Sequence, residues 1–191
     1  MSASSRSALP RRCAPDRSLA REPAITPEGD STPRIALSGH MNLTSATETL
    51  VDAALRDLLA DEQGAGLVGI SCLARGADQL FARVILDLGG QLIVVLPTPS
   101  YREQKVKPDN RALFDELLAK AAEVRHMPFA ESNRQAYEAA NDALLNMADR
   151  LVAVWDGQPS KDQGGTGAVV EQARQLGKPV QVVWPEGAVR S

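Results

Sequence analysis

The sequence predicts an α/β domain: a doubly wound, mostly parallel, Rossmann-like sheet with helices on both faces. Three observations predict it. Short apolar runs alternate with helix-period segments from residue 34 to residue 184. The apolar runs are nearly continuous, as in strands covered on both faces. Three of them are followed by glycine just ahead of the next helical pattern, the usual grammar of a strand–loop–helix unit.

Taken in order, "RIALS" (34–38) is the first strand, ending at Ser38-Gly39. The segment 45–62 repeats Leu50, Ala54, Leu58 and Leu59 at helical spacing, and Ser45 followed by Glu48 predicts a capping-box start. "LVGIS" (67–71) is the second strand, followed by a helix over about 77–88. "QLIVVLP" (91–97) is the third, and a long loop leads to a helix over about 110–122. "EVRHM" (123–127) predicts a short strand and 132–148 a longer helix. "RLVAVWD" (150–156), a helix at 167–176 and "PVQVVW" (179–184) complete the domain. Residues 34–186 therefore read as one domain, with 187–191 as a short tail.

Residues 1–33 read differently. They are rich in Ser, Pro and Arg, lack an apolar period, and predict a solvated, disordered tail. Their acidic residues, Asp16, Glu22, Glu28 and Asp30, argue against an organelle transit peptide. Two cysteines and two histidines, none at metal-ligand spacing, predict neither a zinc site nor a disulfide framework. The net charge of -3 argues against a surface built for nucleic acid. With no apolar run of membrane-spanning length, the expectation is a soluble, cytoplasmic protein.

In open parallel sheets ligands bind beyond the carboxyl ends of the strands, near the point where strand order reverses. The loops there read "SGHMNLT", "SCLARGAD", "PTPSYREQKVKPDN" and "DGQPSKDQGGTG". Glycine before a helix lets backbone approach a ligand, and the helix N-terminus beyond it offers unpaired N–H groups to phosphate. A nucleotide or nucleotide-derived phosphorylated ligand fits that pattern. Neither G-x-G-x-x-G after the first strand nor a P-loop is present, which demotes NAD chemistry and P-loop hydrolysis. His40, behind a turn glycine, and Tyr101, on the longest loop, are candidate ligand contacts. Cys72 has no identifiable partner for nucleophilic work. Trp155 and Trp184, at strand ends, read as packing residues.

Four stretches together resemble the SLOG superfamily, which holds the DprA (Smf) proteins and the LOG phosphoribohydrolases: "RIALSGHMNL", "SCLARGADQLFARVILDLGGQLIVVLP", "AANDALLNMADRLVAVWDG" and "GGTGAVVE". The second is similar to the DprA pattern Ser-Gly-x-Ala-Arg-Gly-x-Asp, and the fourth to the LOG signature Gly-Gly-x-Gly-Thr-x-x-Glu. Carried over position by position, the resemblance implies Ser38, Gly39, Ser71, Arg75, Gly76 and Asp78 around the ligand. It implies Gly164, Gly165, Thr166 and Gly167 as the phosphate cradle, and Glu171 as the carboxylate beside the ribose. Asn141 stands at a family position that often faces the site. Departures are Ala168 for the family threonine, Gln163 for its proline, and Ala140 and Asn141 in the region where LOG enzymes carry an Arg-Lys pair. The leading expectation is a nucleotide-binding protein that senses or processes its ligand, without a further cofactor. The alternative is a LOG-like hydrolase of nucleoside 5'-monophosphates using Glu171, which requires Arg134 or Arg150 at the site. A DprA-like DNA-handling role ranks third. The resemblance also implies a homodimer.

Overall fold

The computed structural model describes residues 33–62, 64, 66–158 and 165–191. All of the expected N-terminal tail except Pro33, and Gly164, lie outside these residues. The domain alternates strand and helix as β1 (Arg34–Gly39), α1 (Ser45–Leu59), β2 (Val68–Ser71), α2 (Ala77–Asp87) and β3 (Gln91–Leu96). It continues as α3 (Tyr101–Lys105), α4 (Arg111–Ala119), β4 (Glu123–His126), α5 (Arg134–Met147), β5 (Arg150–Val154), α6 (Thr166–Gln175) and β6 (Val180–Val183).

The sheet order is β4-β3-β2-β1-β5-β6, and every pairing is parallel. The chain thus lays β2, β3 and β4 on one side of β1, then returns to lay β5 and β6 on the other. Successive strand residues feed opposite faces. Ile35 and Leu37 join Val152 and Val154 beneath α1 and α2, with Val51, Leu55, Phe81 and Ile85. Ala36, Leu151 and Ala153 face the other way, into Ala140, Leu144, Val169 and Val170 of α5 and α6. The doubly wound parallel architecture expected from the sequence is the one observed.

Four local expectations are corrected. The cap of α1 is Thr44, whose hydroxyl accepts the Thr47 N–H at 3.2 Å, so Ser45 is already helical. Its buried stripe is Thr47, Val51, Leu55 and Leu59, whereas Leu50 is 37% exposed. Two adjacent stripes share the same period, and period alone does not choose between them. The expected loop after β3 contains α3, and Tyr101 at its start is 6% exposed, packed on Phe114 and Tyr137. Residues 187–191 are not a loose tail. Val189 and Ser191 are hydrogen-bonded to Thr47 and Asn42, and Arg190 pairs with Leu43 as an isolated bridge. No helix among the described residues is long and apolar enough to cross a membrane.

Candidate functional site

Strand order reverses between β1 and β5, so the crevice of the fold opens where their carboxyl ends separate. Gly39 and His40 leave β1 there, and Trp155 and Asp156 leave β5. His40 stays tied to its neighbour strand, its N–H donating to the Val154 carbonyl at 3.1 Å. Its ring Nε2 lies 3.0 Å from Asp156 Oδ1 and 3.3 Å from the Asp156 backbone nitrogen. The ring stands edge-on to Trp184 at 5.5 Å between centroids.

Asp156 is the hub. Its Oδ1 also accepts the Gln158 N–H at 3.0 Å, and its Oδ2 meets Arg190 Nε at 3.1 Å. Partial burial pushes the carboxyl up, yet the Gln158 N–H, His40 and Arg190 outweigh it and hold the group below its usual range. Neither Asp156 nor Arg190 was among the residues expected from the sequence. The signal for Asp156 was present in "RLVAVWD", a carboxylate ending a buried strand. Arg190 carried none, because its place depends on a chain reversal after β6.

The two single glycines expected to open backbone toward a ligand serve a different purpose. A Cβ on Gly39 would lie 2.4 Å from the Ala77 Cβ and 2.9 Å from the Val154 Cβ. Gly76 has φ +86°, and a Cβ there would lie 2.7 Å from the His40 and Met41 carbonyl oxygens. Both spaces are taken by protein. These glycines let the loop after β1 and the start of α2 pack against each other, an arrangement closed by the Ala77 N–H donating to the His40 carbonyl at 3.2 Å.

Ser71 and Asp78 are likewise internal braces. Ser71 is fully buried; its hydroxyl donates to Asp78 Oδ2 at 3.2 Å and accepts the Leu73 N–H at 3.1 Å. Asp78 Oδ2 also accepts the Ala74 N–H at 3.3 Å. Together they hold Leu73 at φ +52°, a left-handed conformation that a leucine adopts only when its surroundings enforce it. Burial raises the Asp78 carboxyl to about 7 against the opposing pull of these hydrogen bonds. Cys72 is pushed up by burial, with Asp78 adding to it, which makes it an inert thiol.

Arg75 points away from this network. Its Nη1 pairs with Asp109 at 2.8 Å, both side chains being more than half exposed. With Gly76 it lines a cleft of about 190 Å³ between α1, α2 and α4, together with Glu48, Gln79, Arg83 and Asn110. Tyr101 is enclosed by the α3–α4 packing and presents no face to a base.

On the other side of the crevice, Gly165 caps α6 without a side-chain hydrogen bond, and no acid lies in the first turn. Thr166 is buried and Gly167 half-buried. Glu171 is the sixth residue of α6, exposed, and on the face opposite the buried Thr166, Val169, Val170 and Ala173. It accepts from Gln175 at 3.3 Å. Asn141 lies half-buried midway along α5, about 10 Å from its start. Arg134 pairs with Glu138 on the exterior at 2.6 Å. Arg150 pairs with Glu62 at the amino end of β5, the far edge of the sheet. Ser38 sits half-buried in β1 in register with Ala153. Among the described residues no cluster of three metal-ligating side chains forms.

No family model matches the sequence, and no curated protein does. Solved structures match the fold. DNA processing protein A from Streptococcus pneumoniae aligns with TM-score 0.59 at 20% identity, over 81% of this chain and 51% of that one. Its counterpart from Helicobacter pylori, described for its single-stranded DNA binding mode, aligns with TM-score 0.60 at 16% identity, over 84% and 70%. The structural-genomics target TM1055 aligns with TM-score 0.51 at 18% identity, over 78% and 72%. The chain thus spans about half the length of the Streptococcus protein.

Proposed function

We propose that this chain, which has the SLOG-type Rossmann-like fold, binds a nucleotide or nucleotide-derived phosphorylated ligand at the β1–β5 crevice. One observation carries the reading. The reversal of strand order brings the start of α6, capped by Gly165 without a side chain, to the same crevice as the His40–Asp156 pair. Unpaired N–H groups at such an end, with no acid in the first turn, favour a bound phosphate. Gly165, Thr166 and Gly167 supply those groups, and the loop before them carries Gly164. Gly39 and Gly76 serve the site indirectly, by holding the opposite wall together.

The hydrolase alternative gains no such support. Arg134 and Arg150 are engaged in ion pairs away from the crevice, and Glu171 faces outward. The reading is therefore one of binding. A homodimer belongs to it as well, with Leu176 and Val182 as exposed apolar surface near the β6 edge; sedimentation that finds only monomer would reject that part.

The test is a thermal-shift screen with nucleoside mono-, di- and triphosphates, followed by chromatography for released base. Ligand at 100 times its Kd adds about 2.7 kcal/mol, which raises Tm by about 5–10 °C for a chain of this size. Gly167→Asp is the informative variant. An added carboxylate in the first turn favours the helix itself but repels phosphate, so Tm without ligand is expected to hold while the ligand-induced shift is lost. A single-stranded oligonucleotide is expected to give no shift. If no nucleotide shifts the wild-type protein, the reading fails.

A further inference from the structure

The segment after β6 turns back across the carboxyl edge of the sheet and is clamped there. Thr47 Oγ1 accepts the Val189 N–H and donates to the Val189 carbonyl, both at 2.8 Å. Two residues further, the Asn42 backbone carbonyl accepts the Ser191 N–H at 3.0 Å, and Asn42 Nδ2 donates to the Ser191 carbonyl at 2.9 Å. Arg190 lies between these two clamps, with its backbone in a bridge to Leu43. A flexible side chain is thus mounted on fixed backbone, paired with Asp156 just beyond the carboxyl end of β5.

What that side chain meets is informative. Asp156 would by itself place a negative charge, held below its usual pKa range, at the mouth of a crevice read above as an anion site. Arg190 Nε meets Asp156 Oδ2 at 3.1 Å and offsets that charge. The pair is formed through Nε. Among the described residues Asp156 is the only carboxylate paired with Arg190, and the arginine side chain is 41% exposed. A guanidinium fixed on one side by a carboxylate, with its outer edge open, is suited to forked binding of a phosphate.

We propose that Arg190 is the phosphate-recognising cation of the crevice. The Thr47 and Asn42 clamps hold it in place, Asp156 orients it, and its Nη groups engage the ligand's phosphate. The proposal deepens the nucleotide reading and rests on it for the location, while its chemistry is that of a phosphate alone. It also gives the Asp156 hub a role: Oδ1 holds His40 and Oδ2 aims Arg190.

The experiment follows arginine Nε–H resonances in ¹⁵N-labelled protein during titration with pyrophosphate at constant ionic strength. The expected result is a saturable shift of the Arg190 signal while Arg75, already paired with Asp109, serves as an internal control. Arg190→Gln is expected to weaken pyrophosphate binding by about tenfold to a hundredfold, the range for a hydrogen bond to a charged group. Thr47→Val removes one clamp and keeps the arginine, and is expected to weaken binding several-fold. Circular dichroism and urea unfolding establish that both variants fold. An unmoved Arg190 signal, equal shifts at every arginine, or Arg190→Gln binding as tightly as wild type would each overturn the proposal. Pyrophosphate binding through Arg190 without any nucleotide binding would overturn only the nucleotide reading. Nucleotide binding that ignores Arg190→Gln would overturn only the role given to the arginine.

Discussion

Asp78 offers a quantitative test of how the β2–α2 loop is built. The carboxyl is 5% exposed and its pKa is raised from the ordinary 3.8 to about 7, burial being the dominant cause. The native state therefore keeps a proton that the unfolded chain releases near pH 4. Between those values the native state binds more protons, so the contribution of this group to stability falls as pH rises and levels off above 7. The full span is about 4 kcal/mol, from roughly three pKa units at 1.36 kcal/mol each. Between pH 5 and pH 8 the same linkage removes about 2–3 kcal/mol, a large part of the 5–15 kcal/mol typical of a domain.

The assay is urea unfolding of wild type and Asp78→Asn across that range. Asparagine keeps one oxygen to accept from both the Ala74 N–H and the Ser71 hydroxyl, as Oδ2 does, and it carries no charge at any pH. Contributions from every other group are common to both proteins and cancel in the difference. Wild type is expected to lose about 2–3 kcal/mol relative to Asp78→Asn on going from pH 5 to pH 8. Parallel curves would refute the argument. They would mean that the hydrogen bonds from Ser71, Ala74 and Cys72 outweigh burial and hold the carboxylate ionised.

Three further outcomes follow from the loop geometry. Gly39→Ala is expected to cost about 1–3 kcal/mol by overpacking, and adding Ala77→Gly, which removes the 2.4 Å clash, is expected to restore part of it in chemical denaturation. Gly76→Ala combines φ +86° with a 2.7 Å approach to two carbonyl oxygens, so its loss should exceed that of Gly157→Ala. The latter has φ +78° and open space around it, and should cost only about 1 kcal/mol of backbone strain. Arg75→Ala breaks an exposed ion pair with Asp109 and should change stability by less than about 0.5 kcal/mol.

The fold was legible because its strands advertise themselves. β1, β2, β3 and β5 are uninterrupted apolar runs, and a parallel sheet covered on both faces requires that pattern. α3 was hidden because a single helical turn has no period to read, and its reason for forming is the burial of Tyr101 on Phe114 and Tyr137. The stripe of α1 was misplaced by one residue because Leu50 weighs as much in a hydrophobic count as Val51. Contacts that join distant segments, such as Arg190 with Asp156 and Thr47 with Val189, leave no local trace in the sequence at all.

The glycines show most clearly where sequence reading reaches its limit and why. A glycine before a helix at a strand's carboxyl end has two physical uses: it admits a ligand, or it admits another piece of the same chain. Both impose the same residue, and the letters do not distinguish them. Coordinates do, because the second use leaves a neighbour where the Cβ would stand. Gly39 meets Ala77 and Val154 there, and Gly76 meets the backbone of His40 and Met41. The wall formed by β1, β2 and α2 is consequently a packed one, closed by its own glycines and by the Ser71–Asp78 brace. In the proposed reading, recognition falls to the start of α6 beyond Gly165 and to the Arg190 guanidinium paired with Asp156. If that division is correct, substitutions in the wall should change stability first and binding only through it. Arg190→Gln and Gly167→Asp should do the reverse.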